Sequence, residues 1–110
     1  MTRRNDYDVT NQVNTTDPAS VNGEVDRIFQ QLYPGASTEI LDRSFGDLAR
    51  LHRGEYPGYR ACDTGYHNLQ HSLDVTLAMA RLMDGYERMR TNSGELGAEL
   101  FRFGIVTALF

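Results

Sequence analysis

The chain contains no lysine: all eleven basic residues are arginine. We read that bias as a trace of the source genome's base composition, with no mechanistic content. Cysteine is almost as scarce. Cys62 stands alone, so no internal disulfide can form, and a reducing, cytoplasmic setting is expected. Cys62 itself reads as a small packing residue. Long apolar runs are also missing. The longest, FGIVTALF, falls far short of the roughly 20 residues that span a bilayer. The opening MTRRNDYDVTNQ has charge but no apolar stretch of secretory type. The net charge of -4 is the opposite of the basic footprint that nucleic acid selects. These absences argue against a disulfide scaffold, a membrane partner and a nucleic-acid partner.

What is present suits one small domain of 110 residues, 40% hydrophobic and 24% charged. Residues 1–16 are polar and lack periodicity, so a flexible N-terminal arm is expected. Asp17-Pro18 then marks a helix start, an N-cap residue followed by proline at the first helical position. Val21, Val25, Ile28, Phe29 and Leu32 lie on one helical face, with Gly23 as a weak point. Pro34-Gly35 ends that helix. Ser37 is the expected cap of a second helix, with Glu39 and Asp42 near its positive end. Its apolar face is Leu41, Phe45 and Leu48, with Leu51 alongside. RGEYPGYRACDTG reads as a loop.

A long third helix is expected from about Asn68 to Arg90. Leu69, Leu73, Leu77, Ala80 and Met83 form its core side, and Val75, Met79, Leu82 and Tyr86 are expected to broaden the buried surface. After a turn at TNSGE, Ser93 can cap a fourth helix with Glu95 in its first turn. That helix is apolar around most of its girth: Leu100, Phe103, Val106 and Phe110 on one side, Phe101, Ile105 and Leu109 on another. Such a helix seeks burial on several sides, so self-association through it is expected. Nothing reads as a strand pair. The class is all-α, with about four helices.

Within GYHNLQHSLDV, His67 and His71 are four residues apart and Asp74 follows three later. On a helix, positions 71, 74 and 78 share one stripe, joined by 67 if the helix already includes it. Ala78 leaves room beside them. Imidazole is the commonest metal ligand and titrates near neutral pH, so the arrangement suits metal or proton chemistry. Asn68 follows the first histidine where a zinc protease would carry glutamate, which removes the general base of that motif. Spacing alone favours a plain alternative, an aspartate pairing an imidazole on a half-buried helix. His52, the third histidine, reads as a surface residue near a helix end.

The order Tyr66-His67-Asn68-x-x-His71-x-x-Asp74-Val75 closely resembles the Y-H-N-x-x-H-A-x-D-V motif of the 3′,5′-cyclic-nucleotide phosphodiesterases, a branch of the HD-domain metal phosphohydrolases. Ser72 stands where that motif has alanine. The resemblance spans about residues 36–110 and is strong only at 66–75. It implies a helical HD-domain fold, of which residues 17–110 are the N-terminal portion. It implies that His67 is the general acid for the leaving 3′-oxygen. His71 is then the first protein ligand of a catalytic metal, zinc, with magnesium or manganese as the second ion. Asp74 becomes an outer partner or water-mediated ligand, and Tyr66 and Asn68 shape the site wall. The substrate implied is a nucleotide. The family's adjacent His-Asp pair and later lone Asp have no counterpart here. Leu109-Phe110 match the start of the family's LFHD, so the resemblance implies a longer protein and an incomplete, inactive metal site in this chain. His71-Ser72-Leu73 alone fits the wider HD group, a general nucleotide phosphohydrolase. A non-catalytic helical interaction module is the alternative outside enzymes.

Overall fold

The computed structural model describes residues 7–8, 10–54, 65–89 and 96–110, and for 65–68 the backbone only. Among these residues the protein is all-α. The helices are α1 (Pro18–Leu32), α2 (Glu39–His52), α3 (Gly65–Met89) and α4 (Ala98–Leu109). One isolated antiparallel bridge joins Tyr7 and Asn14. No described helix is long and apolar enough to cross a membrane. Most of the expected loop after α2, the turn at 91–95, Cys62 and Arg90 lie outside the described residues.

Local chemistry accounts for the first two helices. The Asp17 carboxylate accepts the Ala19 N–H at 3.1 Å, and Pro18 occupies the first turn. Val21, Val25, Ile28 and Phe29 are buried. Past Tyr33 the backbone turns at Gly35, whose φ of 84° falls where L side chains are strained. α2 begins at Glu39, with Thr38 in the cap position; Ser37 contributes by accepting the Glu39 N–H at 3.1 Å. Leu41, Phe45 and Leu48 are buried as expected.

α3 and α4 depart from expectation at three points. α3 begins at Gly65, three residues before Asn68. Leu73, Leu77, Ala80 and Met83 are buried, but Val75, Leu82 and Tyr86 are exposed and Met79 is half-buried. Val75, Leu82 and Tyr86 extend the helix's outer face, whereas Met79 packs partly against the core. α4 starts at Ala98, not after Ser93, because Gly97 breaks the helix at φ 87°. The buried Glu87 carboxylate holds the entry: it accepts the Leu96 N–H at 3.1 Å and the Gly97 N–H at 3.4 Å.

The core centres on Phe29, Tyr33 and Phe101, whose rings lie 5.3, 5.4 and 6.0 Å apart in tilted and edge-on pairs. Such pairs add about 0.5–1.5 kcal/mol each beyond area burial. The Arg102 guanidinium sits 5.0 Å from the Phe29 centroid and donates to the Ser37 carbonyl at 2.9 Å, tying α4 to the turn before α2. α3 and α4 approach closely at Gly104, where a Cβ would fall 3.0 Å from Met83 Sδ.

Within residues 7–16 several side chains pack against the helices. Asp8 is 3% exposed, and Val13 and Thr15 are buried. The Asp8 carboxylate accepts the Val13 N–H at 2.8 Å, the Gln12 N–H at 3.0 Å and the Thr10 hydroxyl at 2.6 Å, and pairs with Arg81 of α3 at 2.8 Å. Burial opposes its charge, but these donors outweigh burial and hold the carboxyl well below the usual range. Its partners are backbone groups that polar composition does not reveal.

Two predictions follow from the carboxylates that burial perturbs. Asp8→Asn places an amide among converging donors and breaks a buried pair, at a cost of about 3 kcal/mol. Thermal denaturation at neutral pH should register a Tm drop of roughly 10–20 °C; an unchanged Tm would remove Asp8 from this role. Asp26 behaves oppositely. Burial, then its hydrogen bond with Asp42, then that residue's negative charge push its carboxyl up to about 8. The unfolded chain releases this proton near pH 4. Between about pH 4 and that raised value the folded state therefore binds more protons, so its contribution is full below the window and is lost as pH rises through it. Asp26→Asn should flatten that decline in Tm profiles, whereas parallel profiles for variant and wild type would contradict it.

Candidate active site

The backbone is helical through the whole histidine stretch. Because α3 begins at Gly65, position 67 is already inside it, and 67, 71, 74 and 78 recur every three or four residues along one stripe. The side chains of Tyr66, His67 and Asn68 lie outside the described residues. Further along, the Thr76 hydroxyl donates to the Ser72 carbonyl at 2.7 Å, turning that hydroxyl inward onto its own helix.

Apolar packing sets the rotation of α3. Leu73, Leu77 and Ala80 are buried, and Leu69 packs partly against the same core. The opposite side therefore carries the candidate stripe. His71 is exposed, Asp74 half-buried and Ala78 exposed. One depression, of about 540 Å³, lies at the start of α4 between Leu96 and Phe103. Another, of about 220 Å³, lies between α1 and α2 with Asn22 and Asp42 in its wall. His71 and Asp74 line neither.

Among the described residues no group of three or more His, Cys, Asp or Glu gathers to hold a metal. An imidazole at 71 and a carboxylate at 74 offer two of the three or four protein ligands that zinc usually takes. His52 closes α2 half-buried rather than at the open surface, and its Nδ1 is buried without a hydrogen-bond partner.

Three acidic groups of consequence escape sequence reasoning. Asp8 and Glu87 are buried hubs. Asp26 shares a hydrogen bond with Asp42 across α1 and α2, and Asp42 also accepts the Thr38 hydroxyl at 2.9 Å. The Oδ1 atoms of Asn22 and Asp26 are buried without partners. The signal for this cluster was the spacing of Asn22 and Asp26, one turn apart; nothing local brings Asp42 opposite them. No protein-family model, no curated protein and no solved structure matches the chain.

Proposed function

We propose that residues 66–74 belong to the active site of a metal-dependent phosphohydrolase that opens the phosphodiester of a 3′,5′-cyclic nucleotide, in a helical domain of the HD type. The observation that supports this most is the unbroken helix from Gly65 through the stripe, with His71 exposed and Asp74 one turn away. That leaves the His71 imidazole open to an ion and to a phosphate, as the Tyr66-His67-Asn68-x-x-His71-x-x-Asp74 motif requires.

In this reading His71 is the zinc ligand and Asp74 positions the ion's water shell. His67 protonates the departing 3′-oxygen, and Tyr66 and Asn68 wall the site. The bound ions, zinc with magnesium or manganese, supply a nucleophilic hydroxide near neutral pH and offset phosphoryl charge. A positioned acid contributes its own share by removing the need to expel an alkoxide. The reading requires further ligands beyond His71 and Asp74.

The tests are metal content and hydrolysis. Residues 1–110 alone should bind zinc weakly, and His71→Ala should abolish what binding there is. In a protein that supplies the remaining ligands, His71→Ala should lose both metal and turnover of cyclic AMP and cyclic GMP. His67→Ala should keep the metal and slow turnover by roughly 10²–10⁴-fold. Loss of metal on His67→Ala would overturn the division of labour, and unchanged turnover in both variants would overturn the enzyme itself. Hydrolysis of other nucleotide phosphates in place of cyclic ones would point to a general HD phosphohydrolase.

A second reading, self-association as a helical module, is supported by α4. Phe101, Ile105 and Leu109 are buried, whereas Leu100, Phe103 and Phe110 remain more than half exposed.

A further inference from the structure

We infer that residues 7–8 and 10–16 form a clasp along α3 that fixes the Asp74 edge of the candidate site, with Asp8, Arg81, Thr15 and Gln70 as positioning residues for Asp74. The role given to Asp74 rests on the phosphohydrolase reading; the placement of the clasp does not.

Two polar anchors set that placement. Arg81 Nη1 meets Asp8 Oδ2 at 2.8 Å, and the Gln70 amide donates to the Thr15 hydroxyl at 3.2 Å. Gln70 and Arg81 are eleven residues apart on α3, three turns or roughly 16 Å along the helix. The segment itself is folded back and short. The Asp8 N–H donates to the Val13 carbonyl at 2.9 Å, Tyr7 and Asn14 form a bridge, and Asn11 turns the chain at φ 58°. Two long side chains of α3 therefore converge on it from either end, and it sits over the turns between them.

Positions 70, 74, 77 and 81 recur at i, i+4, i+7 and i+11, one stripe of the helix. The residues between the anchors are Asp74 and Leu77. Leu77 is buried and Asp74 half-buried, whereas His71 and Ala78, next round the helix, are exposed. The other neighbours of α3 engage other sides. Tyr33 of α1 meets Glu87, and Gly104 of α4 stands against Met83 and Met79. The edge that carries Asp74 is thus covered from the N-terminal side while the His71 face stays open.

The clasp is held by a desolvated carboxylate. A buried ion pair adds little net stability over apolar packing of similar volume. What this one supplies is a fixed geometry, and the acidic side chain that geometry brackets is the candidate carboxylate. In the proposed reaction Asp74 orients the ion's water shell. Such a role tolerates little movement, since a misplacement of about 1 Å can slow a reaction by roughly 10²-fold.

The test uses the full chain in a Cys62→Ser background, with one introduced thiol at a time. N-ethylmaleimide should alkylate Ala78→Cys fast and Asp74→Cys slowly. Adding Arg81→Met releases one anchor and should speed alkylation of Asp74→Cys by roughly tenfold or more, well within the loss expected for a broken buried pair. Ala78→Cys should be unaffected, and helicity by circular dichroism should hold. Arg81→Lys, which keeps the charge, should restore the slow rate. Thr15→Val, nearly isosteric, should loosen the other anchor and act in the same direction as Arg81→Met. In a protein that supplies the remaining metal ligands, Arg81→Met should lower kcat on cyclic nucleotides by roughly tenfold, with zinc content and KM held, and Arg81→Lys should recover it. Equal alkylation of Asp74→Cys with Arg or Met at 81 overturns the clasp whatever the activity. Parallel acceleration at positions 74 and 78 overturns it too, because Arg81 would then support the fold alone. An unchanged kcat in Arg81→Met overturns the positioning role. Alkylation as expected in a protein that hydrolyses no nucleotide overturns the phosphohydrolase reading and leaves the clasp standing.

Discussion

A single buried carboxylate fixes how three of the four helices meet. Glu87 is 4% exposed, and its charge is tolerable only because donors surround it. The Tyr33 hydroxyl at the end of α1 donates to it at 2.6 Å, and the Leu96 and Gly97 N–H groups at the entry to α4 donate at 3.1 and 3.4 Å. Burial, with Glu87 beside it, pushes the Tyr33 phenol above its ordinary range, so the donor keeps its proton. α3 carries the acceptor, and its rotation is locked to its neighbours. With Glu87 turned inward, positions 71, 78, 82 and 89 must turn outward. The candidate histidine, Leu82 and Met89 face solvent for the same reason.

The other polar anchors follow a related logic. Asp8 grips Arg81, the Gln70 amide donates to Thr15 at 3.2 Å, and Arg88 donates to Gln31 at 3.1 Å. Each joins α3 to a segment far away in sequence, at the rim of the apolar core. Desolvated charges gain little over apolar packing in net stability, but losing one partner is costly. We attribute to them the choice of one arrangement among many in which apolar stripes could have packed. The shape of Leu and Phe alone would leave α3 freer to roll.

Elements with local punctuation were legible in the sequence. Asp17-Pro18 and Pro34-Gly35 bracket α1 to within a residue or two because their effects are confined to neighbouring backbone. The core stripes of α1 and α2 were legible for a similar reason, having one apolar face each. α3 was not fully legible, because periodicity reports that Val75, Leu82 and Tyr86 align, not whether they meet their own chain or another surface. The start of α4 was misplaced because Ser93 offers a local cap, whereas the group that holds the entry, Glu87, lies on another helix. Asp8 was hidden in a polar stretch, and its charged partner, Arg81, lies far away in sequence. At the candidate site the stripe was legible and its openness was not, since exposure depends on the packing of the opposite side.

The spans of these anchors bear on the order in which the chain acquires its structure. The Tyr33–Glu87 bond closes across 54 residues and the Gln70–Thr15 bond across 55. During synthesis, at about 5–20 residues per second, α1 emerges with its apolar face bare and waits several seconds for α3. Among the described residues, the aromatic ring that meets Phe29 from another helix is that of Phe101, made near the end of the sequence. Long closures of this kind slow folding relative to a bundle of neighbouring hairpins. α2, made only a few residues after α1, can cover part of the α1 face early, but the part that α3 covers stays bare until α3 is made.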